Sequence, residues 1–188
     1  FEPLTLRELT VPNRIWMSPM CQYSADAEGP QVGAMTAWHR THLVSRAVGG
    51  AGLIVTEATS VSPEGRIGPW DLGLWTDEQE RALTDVVAEI VAHGSVPAIQ
   101  LAHAGRKAST DAPWRGGKPL PAENPLHWET LGPSAVPFGH YPPPREMSVE
   151  EIDTVVDDFR AAATRALRAG VEIVEIHAAH GYLLHQFL

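Results

Sequence analysis

Apolar residues along this chain recur in two alternating rhythms, and the alternation predicts an architecture. Short apolar runs fall at residues 13–18 (Asn-Arg-Ile-Trp-Met-Ser, closed by Pro19), 52–59 (Gly-Leu-Ile-Val-Thr-Glu-Ala-Thr), 96–101 (Val-Pro-Ala-Ile-Gln-Leu) and 171–176 (Val-Glu-Ile-Val-Glu-Ile). Each has the length and the β-branched content of a buried strand. Between them the apolar positions take helical spacing. Residues 35–48 form one such segment, stopped by Gly49-Gly50. A second opens at Thr76-Asp-Glu-Gln79, a capping box with a hydroxyl at the N-cap and an amide three residues on. It sets Leu83, Val86, Val87, Ile90 and Val91 on one face and meets Gly94 where a left-handed C-terminal cap is expected. A third helix opens at Ser148-Val-Glu-Glu151, another capping box, and is closed by Gly170.

The predicted order is β-α-β-α-β-loop-α-β, an α/β chain whose crossovers are long enough for parallel pairing, with no hairpin signal. Strands apolar on both faces suit a parallel sheet covered by helices. Residues 104–147 break the rhythm. Nine of the sixteen prolines fall there, with Trp114 and Trp128, which predicts an ordered excursion or lid rather than a flexible linker. Gly49-Gly-Ala-Gly52 precedes a strand instead of following one, so it reads as a helix stop and not a dinucleotide fingerprint.

Composition narrows the function classes. A chain of 188 residues with 44% hydrophobic content can bury one sizeable core, with residues 1–188 read here as belonging to one domain. The net charge of −9 argues against nucleic acid or an anionic membrane as partner. No run approaches eighteen apolar residues, so no bilayer span is expected. Cys21 is the only cysteine, which excludes an internal disulfide framework and suits a reducing cytoplasm. The chain starts at Phe1 with no signal-peptide pattern, so a trimmed N-terminus is expected.

In a parallel α/β protein the C-terminal ends of the strands are where ligands bind. The first strand ends in Ser18-Pro19-Met20-Cys21, with Tyr23 nearby, and the second in Glu57-Ala58-Thr59. The third ends in Gln100, then His103, Arg106 and Lys107, and the fourth in His177, His180 and Tyr182. The set holds amides, hydroxyls, two cations, paired imidazoles, phenols and a thiol, and no conspicuous carboxylate dyad. That suits a planar polar ligand and an electron-rich substrate oxygen. Each residue also has a plainer reading. His177 and His180, with His185 as a third ligand, could hold a metal, or be core histidines. Cys21 alone is a small buried apolar group, Tyr23 a surface aromatic, and Arg106-Lys107 a solvated pair. His39 and His42 read as structural residues on a helix away from the mouth.

Three separated stretches, Ser18-Pro-Met-Cys-Gln-Tyr23, Ile99-Gln-Leu-Ala-His-Ala-Gly-Arg-Lys107 and Ile176-His-Ala-Ala-His-Gly-Tyr182, together resemble the old yellow enzyme family. The likeness is nearest to its bacterial xenobiotic reductase A branch, marked by a cysteine and a tyrosine after the first strand. The resemblance implies a (β/α)8 TIM barrel, of which this chain supplies the first four β/α units. It also implies FMN as cofactor, NADPH or NADH as reductant, and reduction of activated C=C bonds in enones, nitro-alkenes or similar xenobiotics. By position, Ser18, Pro19, Met20, Cys21, Ala58, Gln100 and His177 would line the flavin, with Cys21 tuning its potential. His177 and His180 would grip the substrate oxygen, assisted by Tyr23 and Lys107, and Tyr182 would deliver the proton that follows hydride from flavin N5. The physics agrees: two imidazole N–H donors stabilise charge developing on oxygen, and a phenol of pKa ~10 is a weak acid still protonated at neutral pH.

A complete barrel of this kind takes roughly 250 residues, so the chain is expected to be the N-terminal half of a longer enzyme. Its implied partners are a small activated alkene, the C-terminal half of the barrel (in the same or a separate chain), and further copies in a homo-oligomer. Two rivals stand beside this reading: a metal-assisted barrel enzyme using His177 and His180, and a non-catalytic half-barrel.

Overall fold

The structure is a computed structural model and describes residues 1–188 throughout. Its centre is a four-stranded parallel sheet in the order β3 (Trp16–Met17), β4 (Leu53–Ser60), β5 (Val96–Ala102), β8 (Ile173–Ile176). Helices α1 (Ala37–Val48), α2 (Asp77–Ala92) and α3 (Val149–Arg168) make the crossovers, as the two rhythms predict. Thr76 Oγ1 accepts from the Gln79 amide and Ser148 Oγ from the Glu151 amide, so both capping boxes form. Gly94 and Gly170 take φ of 81° and 91°, the left-handed geometry that ends α2 and α3.

Alternation along the strands divides the core into two faces. Ile54 packs outward with Leu43 and Ala47 of α1 and Val86 and Ile90 of α2. Ile99 and Leu101 pack outward against Leu83 and Val87 of α2 and Ala162 and Ala166 of α3. Fully burying side chains such as Ile54, Ile90 and Ile99 contributes about 1.5–3 kcal/mol apiece. Leu53, Val55, Val96 and Ala98 face the other way, into the concave side, and close over Val11. In register, Thr56 pairs with Ile99 and Ala58 with Gln100, so Glu57 is an extra residue, a β-bulge in β4. The bulge resets the alternation and puts Ala58 on the concave face beside Gln100.

Four features differ from the sequence reading. Val11 belongs to an antiparallel hairpin, β1 (Leu4–Leu6) with β2 (Leu9–Val11), which plugs the N-terminal end of the concave face. Its turn places Arg7 at φ 55°, a conformation usually given to Gly or Asn, so no turn signal announces it. The first parallel strand is only two residues long, and β8 is not buried: Ile173 and Val174 are half-buried, Glu175 and Ile176 exposed. Both are edges of the sheet, where one neighbour is lacking. Val91 points out to solvent, 54% exposed, at the rim of the α2 apolar stripe.

Residues 104–147 carry two 3₁₀ turns and a short parallel pair, β6 (Leu131–Gly132) with β7 (Arg145–Glu146). They are tied to the loop after β4. Trp128 Nε1 donates to the Glu64 carbonyl at 2.9 Å, and Arg66 stacks over the Trp128 ring. A one-turn helix, α4 (Leu183–Gln186), follows β8. No helix is long and apolar enough to cross a membrane.

Candidate active site

All four parallel strands end on the same side, and the loops beyond them hold the polar groups singled out in the sequence. After β8 the His177 amide still donates to the Leu101 carbonyl (2.9 Å), which fixes where the chain leaves the sheet. His177 Nδ1 accepts the Ala179 amide at 3.3 Å, so the neutral ring carries its proton at Nε2, free to donate. Burial, then His180, lowers its pKa and keeps it neutral. The His177 ring meets His180 at 5.1 Å and Tyr182 at 4.9 Å between centroids, both edge to face. His180 sits at φ 58°, a strained setting for a side-chain-bearing residue, held by Gly181 behind it. Gly181 has φ 77°, and a Cβ there would come within 3.1 Å of the Phe138 ring, so a side chain would be both strained and crowded.

Lys107 joins the third strand end to the fourth. Its Nζ donates to the His180 carbonyl (2.9 Å) and lies 4.6 Å from the Tyr182 ring centre and 4.2 Å from that of Phe138. Phe138 belongs to the 104–147 excursion, which therefore reaches the mouth. Burial and the neighbouring Arg106 lower the Lys107 pKa. His103 does not reach the mouth. It is 1% exposed, its Nδ1 accepts the Gly105 amide, and burial drives its pKa down to about 4. His185 is also spent locally, its Nδ1 accepting the Gly181 amide at 2.8 Å, so the fold does not gather the three C-terminal imidazoles around one point.

The loop after β3 approaches from the other edge of the sheet. Ser18 and Met20 are exposed, and Pro19, Cys21 and Tyr23 half-buried. Trp38 Nε1 donates to Gln22 Oε1, and the Gln22 amide donates to Glu57 Oε1 (2.9 Å), pinning the loop over the bulge. Tyr23 is held at φ 50°, with Trp114 of the excursion packed edge-on at 5.5 Å. Burial pushes the Tyr23 phenol up to about 12, and Cys21 adds to it. The Tyr182 phenol is raised by burial and then by Cys21 and Tyr23, so thiol and both phenols lie within electrostatic reach of one another. Between these edges, Ala58 and Gln100 line the buried centre, and Gln100 Nε2 donates to the Glu175 carboxylate across β5 and β8.

Sequence reasoning missed one set of groups. Cys21, Glu57 and Asp71 bring a sulfur and two carboxylate oxygens within 4.8 Å of one another, a carboxylate pair where none was expected. His39 is not remote either: its Nε2 lies 3.7 Å from Glu57 Oε2. Asp71 stands in the Pro/Gly-rich stretch after β4, and only the three-dimensional return of that loop reveals it.

The concave floor offers small side chains (Pro19, Ala58), a carboxamide edge (Gln100), a thiol and an imidazole N–H. That donor set fits a flat ring bearing alternating amide donors and acceptors, as an isoalloxazine does. Comparison with known proteins points the same way. A model of the NADH:flavin oxidoreductase / NADH oxidase family matches residues 1–188. An NADPH dehydrogenase of Listeria monocytogenes is 48% identical over 189 residues, covering 100% of this chain and 50% of that protein. Among solved structures, morphinone reductase in complex with tetrahydroNAD superposes with a TM-score of 0.79 at 34% identity, over 100% of this chain and 51% of that one. Old Yellow Enzyme from Pichia sp. AKU4542 gives a TM-score of 0.84 at 27% identity, over 100% and 47%. The chain spans about half the length of the curated relatives it matches. Its α/β sheet is thus the first half of a TIM barrel, and the chain belongs to the NADH:flavin oxidoreductase / NADH oxidase family.

Proposed function

We propose that this chain carries the substrate-side machinery of an FMN-dependent NAD(P)H oxidoreductase that reduces activated C=C bonds in small enones, nitro-alkenes or similar molecules. In the whole protein Ser18, Pro19, Met20, Cys21, Ala58, Gln100 and His177 would hold the FMN, and bound FMN supplies the hydride. The observation that carries the reading is the cluster of His177, His180 and Tyr182 around one point at the strand ends. His177, neutral with its proton at Nε2, donates to the substrate oxygen, and His180 stands edge-on to it as the second donor. Together they stabilise negative charge that grows on that oxygen. Tyr182, its phenol raised by burial, stays protonated across the physiological range and delivers the proton to carbon. Lys107 positions this segment through the His180 carbonyl, and Tyr23 borders the substrate from the opposite edge.

The C-terminal half of the barrel covers the exposed flank of β8, and the assembled enzyme works as a cytoplasmic homo-oligomer. Cys21 is a free thiol, which suits a reducing compartment. The test separates two half-reactions in the full-length protein. Tyr182→Phe is expected to slow alkene reduction by about 10²-fold or more while flavin reduction by NAD(P)H keeps its rate. Equal losses in both would remove Tyr182 from the proton-donor role.

A further inference from the structure

Beneath the loop after β3, side chains from four separate stretches meet in the interior. Glu57 and Asp71 are 4% and 1% exposed, and His39 is fully buried. Asp71 Oδ2 accepts the Gly68 amide, yet Oδ1 has no partner. Glu57 is the bulged residue of β4, which takes its carboxylate out of the strand's alternation and under the loop. His39 Nδ1 accepts the Thr36 amide, so its proton sits at Nε2, which faces Glu57 Oε2 at 3.7 Å and has no bonded partner. A buried cluster with an unpartnered acceptor and two carboxylates beside a thiol is costly if both carboxylates are ionised. A proton on one of the two removes one buried charge.

We propose that Glu57 and Asp71 retain one proton on one of the two carboxyls and act as a positioning pair for Cys21, keeping its thiol protonated so that the mouth sees a neutral S–H and not a thiolate. The groups facing the pair are Cys21 and Tyr23 from the loop after β3, His39 from α1, and Arg66 from the loop after β4. Tyr182 lies across the mouth. Arg66 is the one cation among them. Its guanidinium is engaged by the Pro63 and Pro69 carbonyls and stacked over Trp75 and Trp128. Burial raises Glu57 to about 8 and Asp71 to about 7, and lowers His39 to about 4, so His39 adds no positive charge near neutrality. Burial first, then Asp71 and Glu57, push the thiol upward. This is the reverse of a reactive cysteine, which sits beside cations. The consequence for the cofactor rests on the oxidoreductase reading: a neutral S–H favours a ring that gains electrons, whereas a thiolate opposes it. The protonation state of the thiol does not rest on that reading.

The experiment uses the FMN-loaded full-length protein, its Glu57→Gln and Asp71→Asn variants and the double variant, with retained FMN content and circular dichroism confirming the fold. Iodoacetamide labelling of the peptide bearing Cys21 is followed by mass spectrometry from pH 6 to 10. The double variant is expected to label about tenfold faster than wild type at pH 8, a drop of at least one unit in the thiol midpoint, with each single variant in between. Labelling that is unchanged, or slower, in the double variant overturns the proposal. So does a stoichiometric metal ion held by wild type and lost from the double variant. The pH dependence of the flavin reduction potential tests the cofactor link separately: wild type is expected to show a break that the double variant lacks. If that break persists while the labelling shift appears, the pair stands and its link to the cofactor falls.

Discussion

His177 and Tyr182 stand half-buried beyond an edge strand, whereas Glu57 and Asp71 lie sealed beneath a loop near the other edge of the same sheet. The first pair is placed by local backbone devices: an amide accepted at Nδ1, a left-handed His180, and a glycine that admits Phe138. The second is placed by packing and by a bulge. Side chains at the exposed rim keep an N–H donor free, which on the proposed reading faces the substrate. Those in the buried floor have their charges suppressed by desolvation, so on the proposed reading they set the electrostatics. On the proposed reading, one concave face separates handling of the substrate oxygen from control of the thiol.

The rim should be the more sensitive to substitution. His177→Ala in the full-length protein is expected to weaken binding of a phenolate ligand by about 10–100-fold, the loss of one donor to an ionised oxygen, with FMN still retained by the other lining residues. An unaltered dissociation constant would remove His177 from the oxygen-gripping role.

The floor should declare itself through pH. Glu57 is raised to about 8 and Asp71 to about 7, so the folded state holds protons that the unfolded chain has released above its ordinary carboxylate range. Their contribution to stability is complete below about pH 4.5 and is lost as pH climbs to about 8. His39, lowered to about 4, acts oppositely between about pH 4 and 6.5, where stability rises with pH. Between about pH 6.5 and 8 the carboxylates act alone, and wild type should lose about 2 kcal/mol for one held proton. Glu57→Gln should flatten that decline in urea titrations. A variant that declines as steeply as wild type would place the held proton elsewhere.

The smallest effect is expected where rim and excursion meet. Phe138→Ala removes one face of the Lys107 cation–π sandwich, and should raise the substrate KM a few-fold with little change in kcat. A kcat loss with constant KM would mean that Phe138 acts on chemistry instead of on position.

How much of this was legible in the sequence follows from where the information lies. Thr76 with Gln79, Ser148 with Glu151, and Gly94 and Gly170 are local signals, and they mark α2 and α3 to within a residue or two. The β1–β2 hairpin was hidden because Arg7 occupies a position that turn chemistry assigns to glycine or asparagine. The exposure of β8 was hidden because apolar content measures what a strand can bury, and pairing decides what it does bury. Cys21, Gln100, His177, His180 and Tyr182 were readable because each closes a strand and the parallel order brings strand ends together. Asp71 closes no strand, and the role of Glu57 depends on a one-residue bulge that leaves no mark in composition.

The central claim is that thiol, carboxamide and imidazole, each from a different strand end, border one flat ring. A crystal structure of the full-length protein with FMN tests it most directly. The account predicts the isoalloxazine ring on the concave face, in contact with Cys21, Ala58, Gln100 and His177, with Tyr182 above it. A ring bound elsewhere, or one that touches His177 but leaves Cys21 and Gln100 beyond contact distance, would contradict it.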